Sequence, residues 1–291
     1  MTRAGAATGI TRARPMLLSR RAFSWLGWAG AAAAFGVLAG SIVWILGFVL
    51  VRGMSSLSLS LFTTVTQGSG GGLLNAIEGT AVLAVGTLIL AVPVGLSAGI
   101  YCAEFRHRRW AQIIRFLSDV LVGVPSIVVG YVGYVTLVEG LGWHFSVAAG
   151  SIALAVFCLP YICRTTEMAL RQVPDELREA AYALGAGERR VILRIILPAA
   201  GPAVLTGILL ALAISVGETA PLLYTAGWSN YMWDGRLTHS PIGYLTYAIW
   251  TFINEPFAAA NALAYAAALL VTLFVLIVSI IARLLLRRSQ F

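Results

Sequence analysis

The sequence contains no lysine: all 20 basic residues among its 291 are arginine. A GxxxxGK[ST] nucleotide loop needs that lysine against the phosphates, so the chain is not itself a P-loop ATPase, and Schiff-base chemistry is excluded likewise. The Gly68-Ser69-Gly70-Gly71-Gly72 run looks like a phosphate cradle only superficially, and a flexible linker is expected there, within a Ser/Thr/Gly loop over residues 52–73. Histidine is scarce: His107, His144 and His239 lie far apart without HExxH spacing, which gives a zinc site little support. Cys102, Cys158 and Cys163 fall at or in apolar stretches and suit packing rather than a disulfide framework. Charge is rare, at 11% of residues, against 59% hydrophobic residues and a mean hydropathy of +0.87. No soluble core needs that much apolar surface, so an all-α, polytopic membrane protein is expected.

Six apolar spans can be read: about Ala22–Val51 (too long for a signal peptide), Leu74–Ala103, Ile113–Val138, Phe145–Cys163, Ala199–Tyr224 and Pro256–Ala282. They divide the chain into a basic tail over 1–21, a membrane domain over 22–285 and a short tail over 286–291. The connection over about 225–255 carries Trp228, Tyr231, Trp233, Tyr244, Tyr247 and Trp250, which suit a membrane interface, and Ser240–Asn254 is expected to form a short helix along it. Every arginine except Arg52 and Arg236 falls on one side of these spans, which predicts that both termini are cytoplasmic. The net charge of +8 then follows from the anionic inner leaflet and calls for no nucleic acid.

The longest polar interval is Val173–Pro198, which reads as two short helices about a glycine turn. Asp175, Glu176 and Glu179 place negative charge at the positive end of the first helix, Ala180, Ala181 and Ala183 keep one surface smooth, and Gly185 suits its C-terminus. The second helix starts near Gly187, puts Val191, Ile192, Ile195 and Ile196 on one face, and ends at Pro198. Taken alone, such a hairpin is either a docking element or an amphipathic surface feature without a partner. Its spacing, Glu179-Ala180-Ala181, Gly185, then Ile195-Ile196-Leu197-Pro198, resembles the coupling loop of binding-protein-dependent ABC importer permeases. The resemblance implies that the first helix, within a loop over about 164–198, enters a groove on a cytoplasmic ATPase.

Polar residues inside apolar spans each ask for a reason, because a charge at the bilayer centre costs about 2.5–3.5 kcal/mol on insertion scales. Asn75 and Glu78 open the second span, where a structural role suffices. Asp119 lies one turn into the third, ahead of a Gly123-Val124-Pro125-Ser126 break that fits either a plain kink or backbone N–H groups offered to an anion. Arg164 and Glu167 are spaced to pair on one face at the end of the fourth span, although spacing alone favours an arginine snorkelling to the surface. Glu218, in Gly217-Glu218-Thr219-Ala220-Pro221, needs protonation or a paired arginine, from this chain or another.

Taken together, residues 71–80 (GGLLNAIEGT), 119–130 (DVLVGVPSIVVG), 164–186 and 217–226 (GETAPLLYTA) resemble the PstA-type permease subunits of phosphate importers. That resemblance implies an ABC importer type I permease fold and a multi-pass protein of a bacterial or archaeal plasma membrane. Its implied partners are a second permease subunit of PstC type, two ATPase subunits that bind ATP and Mg, and an extracytoplasmic phosphate-binding protein. No cofactor is expected in this chain. Arg164, Glu167 and Glu218 take positions associated with phosphate passage, and Pro125, Ser126, Asp119, Thr165 and Thr219 are expected beside them. One departure is Ile214, where such permeases usually carry an arginine. Another oxyanion (molybdate, sulfate or phosphonate) fits the same residues, and a non-transporting membrane sensor or scaffold is the alternative of a different class.

Overall fold

The structure, a computed structural model, describes residues 14–288, with side chains described from 23 to 286. It divides into two units, Met1–Val51 and Arg52–Phe291. The first is most of helix α1 (Arg14–Ser55), which begins before the expected Ala22 and runs past Val51. Its Phe23–Ser55 part is long and apolar enough to cross a membrane. Of the basic tail, Arg3 and Arg12 lie outside the described residues, while Arg14, Arg20 and Arg21 fall within the helix.

The second unit opens with an ordered segment where a flexible linker was expected. Helix α2 (Ser60–Thr63) leads into an antiparallel hairpin, β1 (Thr66–Gln67) and β2 (Gly70–Gly71), with Thr66 opposite Gly71. The order comes from Asn75: its buried amide oxygen accepts the Thr66 N–H and hydroxyl at 3.0 Å each, and its NH2 donates to the Ser229 carbonyl at 2.8 Å. Glu78 accepts the Trp233 N–H at 3.1 Å. Both polar residues opening α3 (Leu74–Glu104) therefore fasten the aromatic connection to the helix bundle.

Helices α3 and α6 (Val147–Arg171) form the centre. Glycines four residues apart in α3 make this contact: a Cβ on Gly99 would lie 2.6 Å from the Thr166 Cβ, and one on Gly95 2.9 Å from the Ile162 Cβ. In lipid, where apolar burial gives little drive, such close approach supplies the packing energy. Cys102, Cys158 and Cys163 are free and buried among these helices, as their apolar settings suggested.

The third expected span is not one helix. Helix α4 (Arg109–Gly123) and helix α5 (Ser126–Gly133), which continues as a π-helix over Tyr134–Gly140, are bent by 101°. Val124 and Pro125 are extended at the break, since proline lacks an N–H and disfavours a helical residue before it. Helix α6 runs two turns beyond the expected Cys163 and places Arg164–Glu167 inside the helix. The polar hairpin comprises α7 (Asp175–Ala183) and α8 (Glu188–Val191). Pro198 is not a boundary: α8 continues through a π-helical turn at Ile192–Ile196 into α9 (Leu197–Gly217), the wide turn accommodating a residue that cannot donate.

Helix α9 ends seven residues before the expected Tyr224, because Glu218 is extended, and α10 (Ala220–Thr225) follows. The interfacial helix is shorter than expected, α11 being Leu245–Phe252. The last helix, α12 (Ala258–Arg288), runs past Ala282, and Thr206 of α9 donates to the Ala282 carbonyl. Among the described residues, five helices are long and apolar enough to cross a membrane, or six if the bent pair counts as one.

Candidate functional site

Three polar groupings stand out. The first surrounds Glu167, whose side chain is 3% exposed. It accepts from Arg115 Nε at 2.6 Å and Arg171 at 2.6 Å, with Arg164 more distant at 3.5 Å. Positions 164, 167 and 171 share one face of α6, so two of these cations come from helical spacing. The third, Arg115, arrives from α4 and also donates to the Cys102 and Arg106 carbonyls at 2.5 and 3.2 Å. Those carbonyls lie at the C-terminal end of α3, where a cation is favoured. Arg164 does not snorkel away: its guanidinium pairs with Asp119 of α4, and its Nε donates to the same carboxylate at 3.2 Å. Asp119, Arg164 and Glu167 are thus brought together, joined by Arg115 and Arg171, which sequence reasoning did not single out.

Glu218 sits apart. Its carboxyl is half-buried, and the Ser126 hydroxyl and Thr219 backbone N–H face it. Thr246 donates to its carbonyl at 2.8 Å. Among the described residues, no arginine forms an ion pair with it. The two helix breaks adjoin: α5 packs on α10 so closely that a Cβ on Gly130 would lie 2.6 Å from the Pro221 Cα. Pro125 and Thr219 each cap the helix that follows, their carbonyls accepting from Val128 at 2.9 Å and Leu222 at 3.1 Å. The break in the third span is therefore more than a kink, and its first hydroxyl is turned to a carboxylate of the chain itself. Glu218 and Ile214 line one open groove of about 600 Å³ with Tyr161, Thr165 and Ser279. Thr165 packs on Gly207 and donates to the Tyr161 carbonyl at 2.8 Å, so it belongs with Glu218 rather than with Arg164.

The third grouping is the hairpin. Gly185 has φ +78°, the left-handed conformation its place after α7 requires. Arg178 anchors α7, donating to both oxygens of Glu104 at 2.7 and 2.5 Å and to the Leu170 carbonyl at 3.0 Å. Ala181 corrects the smooth-face expectation: it is buried against Leu170, Val191 and Ile196. The outer surface instead includes Glu179, Ala180, Tyr182, Ala183 and Leu184, the last 89% exposed. A helix fixed by a partly buried ion pair that presents alanine, glutamate and an uncovered leucine is suited to docking.

Comparison with known proteins agrees with this arrangement. Residues 95–290 match the family described as binding-protein-dependent transport system inner membrane component. The chain is 46% identical over 271 residues to the phosphate transport system permease protein PstA 2 of Mycobacterium bovis, covering 93% of this chain and 90% of the relative. It is 46% identical to PstA of Yersinia pestis over 253 residues, covering 86% and 85% of the two chains. Among solved structures, a bacterial ABC transporter importing the acidic polysaccharide alginate matches with a TM-score of 0.59 at 16% identity, over 94% of this chain and 99% of that one. An inward-facing form of the MetNI methionine ABC transporter matches with a TM-score of 0.56 at 19% identity, over 73% and 95%. A bundle shaped like ABC importer permeases and this degree of identity lead to one conclusion: the chain belongs to the binding-protein-dependent transport system inner membrane component family, as a permease subunit of PstA type.

Proposed function

We propose that the chain is a transmembrane subunit of an ATP-driven importer of inorganic phosphate, forming half of the translocation path and receiving the force of ATP hydrolysis through α7. The observation that carries this is the anchored hairpin, in which Arg178 and Glu104 tie α7 to the end of α3 while Glu179, Ala180 and Leu184 stay uncovered. A movement imposed on α7 then reaches the α3–α6 pair through a partly buried ion pair rather than through a slack loop. Chemistry on ATP and Mg belongs to two partner ATPase subunits, and the other half of the path to a second permease of PstC type. An extracytoplasmic phosphate-binding protein delivers the anion. The chain crosses a bacterial or archaeal plasma membrane six times, counting α4–α5 as one broken span, with both termini cytoplasmic. In support, Arg115 of α4 contacts Glu167 near one end of α6, while Gly133 of α5 lies against Ala153 towards the other, a Cβ there falling 3.5 Å from the Ala153 Cβ, so the broken pair runs along α6. Asp119, Arg164 and Glu167 at the inner end, and Pro125, Ser126, Glu218 and Thr219 at the outer, border the path. An arginine of the second permease reaches Glu218 through the open groove and replaces the one missing at Ile214.

The test is ATP-dependent uptake by the complete complex in proteoliposomes, supplied in turn with phosphate, molybdate, sulfate and a phosphonate. Phosphate is expected to accumulate; preference for another oxyanion transfers the same machine to that substrate, and assembly without uptake of any makes the chain a scaffold. Glu179→Arg, which reverses a charge on the docking face, is expected to insert normally and to abolish uptake. Normal coupled transport by that variant removes α7 from the coupling role. A cysteine at Ser69 or Gly235 should react with an impermeant thiol reagent in intact cells, and one at Glu188 should not.

A further inference from the structure

Arg189, Arg190 and Arg194 line one concavity of about 650 Å³ at the foot of α9, with Gly185, Glu188 and Leu193. All three arginines are exposed, and none makes an ion pair or a side-chain hydrogen bond within the described residues. Arg115, Arg164, Arg171 and Arg178 nearby are each matched to a carboxylate. Only Glu188 opposes the three, so the concavity holds an excess of positive charge.

Depth in the membrane decides what fills it. From Ile195 to Gly217 the helix carries no charge, and at 1.5 Å per residue this stretch covers roughly 35 Å, about one hydrocarbon core. Arg194 therefore stands where the helix leaves the hydrocarbon, with Arg190 one turn farther out, at the level of the headgroups. Leu193, 47% exposed, lies between them and offers contact to an acyl chain. Arginine forks match phosphate oxygens in pairs, and basic recesses at the cytoplasmic ends of membrane helices suit anionic headgroups. We propose that this concavity is a site for the phosphate group of an anionic phospholipid of the inner leaflet, which fixes the depth of α8 beside the coupling helix. The site rests on the cytoplasmic placement of the hairpin given above.

The experiment uses the full complex, purified from membranes into nanodiscs of phosphatidylcholine containing a minor fraction of cardiolipin or phosphatidylglycerol, with bound lipid read by native mass spectrometry. The wild type should retain the anionic lipid and release phosphatidylcholine. Replacing Arg189, Arg190 and Arg194 with glutamine should weaken retention about fivefold per arginine, whereas the equal charge loss of Arg106, Arg108 and Arg109 to glutamine should not. Displacement of the lipid by millimolar inorganic phosphate would identify the ligand as the free anion and overturn the lipid assignment. Unchanged lipid retention with loss of the ATPase subunits from the triple variant would make the concavity a protein contact instead. Labelling of a Glu188 cysteine from outside the cell would overturn the orientation on independent grounds, leaving the lipid counts to be read separately.

Discussion

Glu167, within α6, and Glu218, at the end of α9, are both carboxylates set in apolar stretches, and their surroundings differ in kind. Glu167 is buried and surrounded by Arg115, Arg164 and Arg171 of its own chain. Glu218 is half-buried, stands where α9 breaks, and is faced by a serine hydroxyl and a backbone N–H, with an open groove on its other side. The first is internally satisfied and joins α3, α4 and α6. The second is left reachable from outside the chain, as expected of a group completed by a neighbouring subunit or by passing substrate. A charge compensated at home holds the fold, and one compensated from outside is available for function.

The largest expected effect that follows is Glu167→Gln. Removing the negative charge leaves Arg115 and Arg171 without a counter-charge and Arg164 with Asp119 alone, and breaking the buried Arg115–Glu167 pair in this way costs about 3–5 kcal/mol. The purified complex should unfold at a markedly lower temperature or fail to accumulate; wild-type thermal stability would make the cluster irrelevant to the fold. Arg115→Gln should cost less, about 1–3 kcal/mol, because Glu167 keeps two arginines while the Cys102 and Arg106 carbonyls lose their donor. Asp119→Asn should change stability by less than about 1 kcal/mol, since that pair is largely exposed and screened. The ranking of the three, measured in one detergent or nanodisc system, tests whether burial rather than pairing alone sets the cost.

The same contrast explains how far the sequence could be read. Patterns local to one helix were legible: the alternation of spans and the left-handed glycine at 185 depend on spacing within a few residues, whereas the Arg164–Glu167 spacing alone favoured a snorkelling arginine, because its main partner, Asp119, lies on another helix. Partners brought from distant segments were not. Arg115 is 52 residues from Glu167 and looked like one more inner-side arginine, and Arg178 meets Glu104 across 74 residues. The four-residue repeat of Gly95 and Gly99 was visible and marks the α3–α6 contact, but two glycines among 30 carry little weight without the facing helix. Proline was read too strongly at Pro198, where a π-turn absorbs it, and too weakly at Pro125, where the helix turns through 101°. The Ser/Thr/Gly stretch looked flexible because its order is imposed by Asn75, a residue of the next helix.

The most direct measurement is Glu218→Gln, assayed for both stability and phosphate uptake in the complete complex. The substitution keeps shape and hydrogen-bonding capacity, so the chain itself should lose no more than about 0.5 kcal/mol, in contrast to Glu167→Gln. Because the glutamine cannot balance the arginine proposed to reach it from the second permease, uptake or assembly should fall sharply. Full assembly with wild-type uptake across the neutral pH range would contradict the account, placing Glu218 in the path as a neutral hydrogen-bond donor rather than as half of an ion pair between subunits.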